Sequence, residues 1–191
     1  MHYGIFTKIW VDSLGMNIFT IRQALAEDLP AMQKIYEKAR AFMKENGNES
    51  QWGLPSPGKS LWPSEDSIIE KIDKKWQFVC ETEINGKTEI AATFAFTNGI
   101  PESAYASIYE GSWPDDGKEP YGVIHCFASS GAVKGAATFC LNWALNICGY
   151  MKIDTHPNNK PMRSLLKKLD FTYCGKILMP QVQNDDILRV A

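Results

Sequence analysis

The stretch "WQFVCETEINGKTEIAATFAFT" is the clearest local signal in the chain. Two runs rich in β-branched and aromatic residues flank Asn85-Gly86, a dipeptide that supplies the positive φ angles of a tight hairpin turn. Around this hairpin, strand and helix patterns alternate. "IFTIRQA" alternates apolar and polar residues and reads as a first strand, Ile18 to Arg22. "AEDLPAMQKIYEKARAFMKENG" follows as a helix, with Glu27 and Asp28 suited to its N-terminal dipole and Asn46-Gly47 stopping it. Ser64 caps a second, short helix with Ile68, Ile69 and Ile72 inward. After the hairpin, "YASIY" reads as a short strand and "YGVIHCFA" as another. Then come a helix from Lys134 to Cys148, a strand from Met151 to Thr155, and a helix from Asn159 to Leu169. "FTYCGKILM" and "ILRV" close the pattern as strands. An antiparallel meander therefore leads into a strand-helix-strand crossover, which gives an α/β fold: a mixed, mostly antiparallel sheet with helices on both faces.

Composition bounds what such a fold can be. The chain has 191 residues, 45% hydrophobic and 22% charged, enough for one domain with a sizeable core. Residues 17–191 read as that single domain. Residues 1–16 read as an N-terminal extension, or as lying before a later start at Met16. A net charge of −2 offers no basic field for nucleic acid. The lysine pairs Lys74–Lys75 and Lys167–Lys168 read as solvated helix faces. No stretch approaches a membrane span, and the first residues lack the apolar run of a signal peptide. Five widely spaced cysteines (Cys80, Cys126, Cys140, Cys148 and Cys174) include no CxxC. With only three histidines they offer no metal site and fit reduced thiols in a cytoplasmic protein.

"HCFASSGAVKGAATFCLNWAL" passes from a strand through small residues into a helix. Free backbone N–H groups at the first turn of that helix would face outward at the positive end of its dipole, with no bulky side chain in the way. That geometry suits a phosphate, and it equally suits an ordinary packed strand-to-helix turn.

Two stretches carry a resemblance to the GNAT (GCN5-related) N-acetyltransferase superfamily, over about Asn17 to the C-terminus. "AVKGAA" is similar to the family's acyl-CoA loop R/Q-x-x-G-x-G/A: Gly135 and Ala137 meet the pattern, and Ala132 replaces the usual Arg or Gln. "IDTHPNNKPMRSLLKKLDF" is similar to the family's N-x-x-A-x-x-L-Y-x-x-x-G-F motif, with Asn159, Leu165 and Phe171 matching. There Met162 stands at the small residue, Leu166 at the Tyr and Asp170 at the Gly. The resemblance implies parallel strands "GVIHCFA" and "MKIDT" splayed at their C-terminal ends to admit pantetheine. It also implies a pyrophosphate held by Val133, Lys134, Gly135, Ala136, Ala137 and Thr138, a contact from Asn159, and direct acetyl transfer from acetyl-CoA to an amine, without a metal. A homodimer is a further arrangement that such proteins suggest.

The reaction needs a base, an oxyanion donor and an acid for the leaving thiolate. The family's usual acid, the Tyr of the L-Y pair, is Leu166 here, which leaves Tyr173 as the substitute. His125 is the candidate base, since its ordinary pKa of ~6.5 suits proton transfer near neutrality. A His that simply fills the sheet's face is the other reading. Cys126, next to it, is expected on the opposite face and in the core. His156 reads as a loop residue before Pro157. The tryptophans Trp52 and Trp62 read as packing down over the core. Trp52, Trp62, Trp113 and Tyr121 are all candidates to stack on an acceptor, and Glu110, Asp115, Asp116 and Glu119 to attract a cationic amine, with a solvated loop acid as the plainer reading of each of the four. The leading expectation is an N-acetyltransferase acting on a small-molecule amine. The alternative is a non-catalytic acyl-CoA sensor, which Ala132 and Leu166 favour.

Overall fold

The structure, a computed structural model, describes residues 10–11, 18–52, 61–115, 119–179 and 187–191. The six strands of the main sheet lie in chain order, β1 (Trp10–Val11), β2 (Ile18–Gln23), β3 (Gln77–Ile84), β4 (Lys87–Asn98), β5 (Gly122–Ser129) and β6 (Met151–Lys152). β7 (Lys176–Leu178) and β8 (Leu188–Val190) make a separate antiparallel pair. Among the described residues four α-helices complete a mixed α/β fold: α1 (Leu29–Glu45), α2 (Glu65–Asp73), α3 (Ala136–Cys148) and α4 (Lys160–Lys168). The chain divides into two compact units, the first comprising the described residues of Met1–Ala39, Pro63–Thr97 and Ile124–Ile147, the second those of Arg40–Trp62, Asn98–Val123 and Cys148–Ala191.

In the first unit the hairpin forms as its sequence demands. Asn85 and Gly86 take φ of 53° and 74°, and Ile84 pairs with Lys87 across the turn. β2 joins antiparallel to β3, with Ile21 opposite Cys80, so the strands share one buried face. Trp143 of α3 packs on that layer, its ring centroid 5.1 Å from Phe78, 5.9 Å from Phe94 and 5.6 Å from Phe96. Burying such rings contributes about 1.5–3 kcal/mol each, which makes α3 the anchor of this core. The Ser64 side chain accepts the Ser67 N–H at 3.2 Å, the cap expected for α2. Residues Trp10 and Val11 pair with Phe19 and Ile18, so part of the N-terminal stretch adds an edge strand to the sheet.

Arg22 ties β2 to the turn before α1. Its guanidinium donates to both carboxylate oxygens of Asp28, at 2.6 and 2.8 Å, and to Glu81 at 2.6 Å. The Asp28 side chain also accepts the Leu25 N–H at 2.8 Å. The hydrogen bonds from Arg22 hold the Asp28 carboxyl below its usual range, so this carboxylate stabilises the fold above the ordinary Asp pKa of ~3.9. That contribution is lost as pH falls through the lower, folded-state pKa. Arg22→Met is therefore expected to melt lower than wild type at pH 7, with the gap closing below about pH 4, as read by thermal melts along a pH series. An unchanged gap at pH 3 would contradict this account.

The second unit is built on the opening of β5 and on β6. These pair in parallel only through Gly122 with Met151 and Val123 with Lys152. β6 then passes to a new neighbour, because Thr155 bridges antiparallel to Val190. Ala104, Tyr105, Val123, Ile177 and Met179 form the core here, with Trp113 and Tyr121 packed against it. The strand expected in "YASIY" is instead a 3-10 turn, Ser103–Ala106, with only Tyr109 bridging to Lys176. Glu102 caps that turn by accepting the Ala104 N–H at 3.3 Å, and the turn drives Tyr105 into the core in place of extending the chain. α4 shows the expected stripe: Met162, Leu165, Leu166 and Leu169 are half-buried and its other residues exposed.

Candidate functional site

β5 ends at Ser129, and the chain turns through small residues before α3 begins at Ala136. The helix starts two residues later than its sequence pattern suggests, because Gly135 sits at φ +94°, which no helix accommodates. Gly131 is also left-handed, at +72°. Gly131, Ala132, Lys134 and Gly135 are exposed, Val133, Ala137 and Thr138 half-buried, and Ala136 buried. The Phe139 N–H donates to the Gly135 carbonyl at 2.9 Å, so the N–H groups of Ala136, Ala137 and Thr138 come before this bond. No acidic residue lies in the first turn of α3, so its positive dipole end is left for an external anion. The Phe19 ring stacks on Phe139 at 5.5 Å and braces this turn against β2.

His125 stands half-buried within β5, just before a left-handed residue. Cys126 takes φ +52°, a left-handed value that is strained for a residue with a side chain. The two-residue alternation fails there: Val123 and Ile124 are both buried, and His125, Cys126 and Phe127 are all half-buried. The expectation that Cys126 lies in the core is therefore corrected: it is half-buried. A strand that bends at one left-handed residue turns its backbone out of the regular ladder, a device found next to active sites. Nothing in the letters "IHCFA" signals it.

In the second unit, Asn159 caps α4. Its Oδ1 accepts the Met162 N–H at 3.2 Å, and its amide donates to Gln51 at 2.9 Å. Gln51 also accepts from buried Asn48 at 2.8 Å, so the capping residue is held by the 3-10 turn Glu49–Gln51. His156 is a loop residue before Pro157, as expected, and is buried, with Nδ1 accepting the Asn158 N–H at 3.1 Å and Nε2 3.5 Å from Ser50 Oγ. Trp52 is buried and Trp62 half-buried, in line with packing. Tyr173 is 59% exposed, between α4 and β7. The two candidate catalytic side chains thus belong to different units, His125 to the first and Tyr173 to the second.

The loop expected to face an acceptor is engaged with the protein itself. Trp113, Tyr121 and Asp115 surround the Lys152 ammonium, and Glu110 pairs with Lys176 at 2.5 Å. Glu119 is exposed, and Asp116 lies outside the described residues. Lys152 is the residue that sequence reasoning missed, and an isolated Lys in a strand pattern gave no cue to it. Among the described residues no group of three or more His, Cys, Asp or Glu is placed to hold a metal ion. No described helix is long and apolar enough to cross a membrane.

A mixed α/β sheet feeding a helix whose first turn carries no acidic residue is an arrangement that offers backbone N–H groups to an anion. Solved structures share this fold. An acetyltransferase of the GNAT family from Streptococcus agalactiae is 26% identical, over 95% of each chain, with a TM-score of 0.73. A GNAT-family acetyltransferase from Listeria monocytogenes is 16% identical over 92% of this chain and 94% of its own, at a TM-score of 0.59. The protein yncA from Salmonella typhimurium, solved with its cofactor acetyl-CoA, is 16% identical over 90% of each chain, at 0.53. No family model matches the chain, and no curated protein matches it by sequence. The fold of the chain is that of the GNAT acetyltransferases.

Proposed function

We propose that this protein is an N-acetyltransferase that moves acetyl from acetyl-CoA to an amine, most simply a small-molecule amine, in the cytoplasm. The observation that carries the reading is the turn from Gly131 to Thr138, with left-handed glycines, exposed backbone and an acid-free helix start. In this reading the pyrophosphate rests on the N–H groups from Val133 to Thr138, and the Lys134 ammonium adds charge. Asn159, fixed by Met162 and Gln51, contacts the cofactor. The acceptor nitrogen attacks the thioester carbon, the new C–N bond forms, and the C–S bond breaks to release CoA thiolate. His125 takes the proton from the attacking amine. Tyr173 returns a proton to the thiolate. Since a thiol leaves readily, this last step is expected to matter least.

Calorimetry with acetyl-CoA and a thiol-release assay over a panel of primary amines test the reading together. Binding with release above the hydrolysis background is expected, and His125→Ala is expected to lower kcat by about 10²–10⁴ while binding acetyl-CoA as wild type does. Absence of binding overturns it. Binding without release from any amine favours the second reading, an acyl-CoA sensor, for which Leu166 in place of the family's Tyr and Ala132 in place of its Arg or Gln are the sequence observations.

A further inference from the structure

Lys152 is 4% exposed, and its surroundings are unusual for a lysine in a strand. Its ammonium lies 3.0 Å from both Asp115 carboxylate oxygens. Three rings close round it, with centroids 4.5 Å away for Tyr121, 4.6 Å for Trp113 and 5.7 Å for Tyr150. The rings are themselves fixed. The Trp113 indole N–H donates to the Tyr105 carbonyl at 2.9 Å, and the Tyr121 hydroxyl accepts the Glu102 N–H at 3.0 Å. Burial, together with the Asp115 charge, pushes the Tyr150 phenol up to about 12, so it remains a neutral ring at physiological pH.

A buried ammonium carries a desolvation penalty of several kcal/mol, which a methionine of similar length would avoid. The charge is retained only if the surroundings favour it over neutral bulk. A carboxylate with several aromatic faces does so, and is the arrangement by which proteins recognise alkylammonium ligands. We propose that Trp113, Tyr121, Tyr150 and Asp115 form an ammonium-recognition cage whose built-in ligand is the protein's own Lys152. Its occupancy clamps Trp113, Asp115 and Tyr121 onto β6, at the last β6 residue paired with β5. The charge of the ligand, rather than its length, supplies the hold. An acceptor amine finds this cage filled and must be recognised elsewhere.

Lys152→Met keeps the bulk and removes the charge, and is expected to lower Tm by roughly 6–20 °C. Lys152→Ala removes a propylammonium-sized piece. Propylammonium chloride at saturating concentration is expected to raise its Tm by about 3–6 °C, whereas 1-propanol and sodium chloride do not. Wild type and the double variant Asp115→Asn, Lys152→Ala are expected to give no such response. A Lys152→Met variant as stable as wild type overturns the proposal, as does a folded Lys152→Ala that responds equally to amine and alcohol or to neither. If Lys152→Ala does not fold, acetylation of the wild type by N-hydroxysuccinimidyl acetate, mapped by mass spectrometry, decides. Lys152 is expected to react at least about tenfold more slowly than Lys74, and faster in Asp115→Asn. A wild-type rate equal to that of Lys74, or no acceleration in Asp115→Asn, overturns the cage.

Discussion

Gly135→Val is expected to lower the affinity for acetyl-CoA at least about 100-fold while the protein still folds. The argument turns on backbone rather than space. A Cβ at Gly135 would meet only the Phe19 ring, 3.7 Å away, an ordinary contact. The φ of +94° is what a β-branched residue cannot adopt without strain of order 1–3 kcal/mol. The exposed turn relieves that strain by rotating its peptides, and the N–H groups at the head of α3 then no longer converge on one point. Each hydrogen bond to a charged group contributes about 1.5–3 kcal/mol, so losing two amounts to a factor of roughly 10²–10⁴. Gly135→Ala is expected to fall between wild type and valine. Ala132→Arg, which restores the donor the family places there, is expected to tighten binding. Calorimetry reads all three, and a Gly135→Val protein that binds within threefold of wild type puts the cradle elsewhere.

A large effect on stability is expected at Gly111. A Cβ there would lie 1.9 Å from the Cys174 carbonyl oxygen and 3.0 Å from the Gly175 Cα. Both neighbours are backbone, and neither is free to retreat. Tyr109 and Lys176 exchange hydrogen bonds of 2.7 and 2.8 Å, and the Cys174 N–H donates to the Ala191 carbonyl at 2.8 Å. Overpacking usually costs about 1–3 kcal/mol, and here no side chain can swing aside to lessen it. Gly111→Ala is expected to lower Tm by at least about 6 °C. Gly47→Ala is the control, since φ is +66° there but nothing lies within 4 Å of the added carbon. If Gly111→Ala melts no lower than Gly47→Ala, the two segments do not touch as described.

Much of the fold could be read from the letters because its signals are local. The Asn85-Gly86 turn, the Ser64 and Asn159 caps and the apolar stripe of α4 each follow from residues a few positions apart. The small-residue turn before α3 was legible for the same reason. What escaped depends on contacts distant in sequence, or on a dihedral angle that no residue type announces. Cys126 has a left-handed backbone that nothing in "IHCFA" requires. The strand pattern of "YASIY" gave way once Tyr105 had an aromatic cluster to enter. Lys152 meets Asp115 across 37 residues, and no periodicity links the two. Asp115, Trp113 and Tyr121 read as open to an acceptor because their internal partner, a single lysine in a short strand, carries no pattern of its own.

After α4 the chain turns at Asp170, whose φ is +60°, and the Phe171 N–H closes the turn on the Leu166 carbonyl at 3.0 Å. This is the place where the family motif writes glycine. An aspartate at such an angle is tolerated at a cost of about 1 kcal/mol, little enough for a well-packed domain to absorb. The inherited quantity at this position is thus an angle, and the alphabet records it only loosely. A chain whose letters depart from the motif at this position can keep the path of the backbone, and with it the fold of the GNAT acetyltransferases.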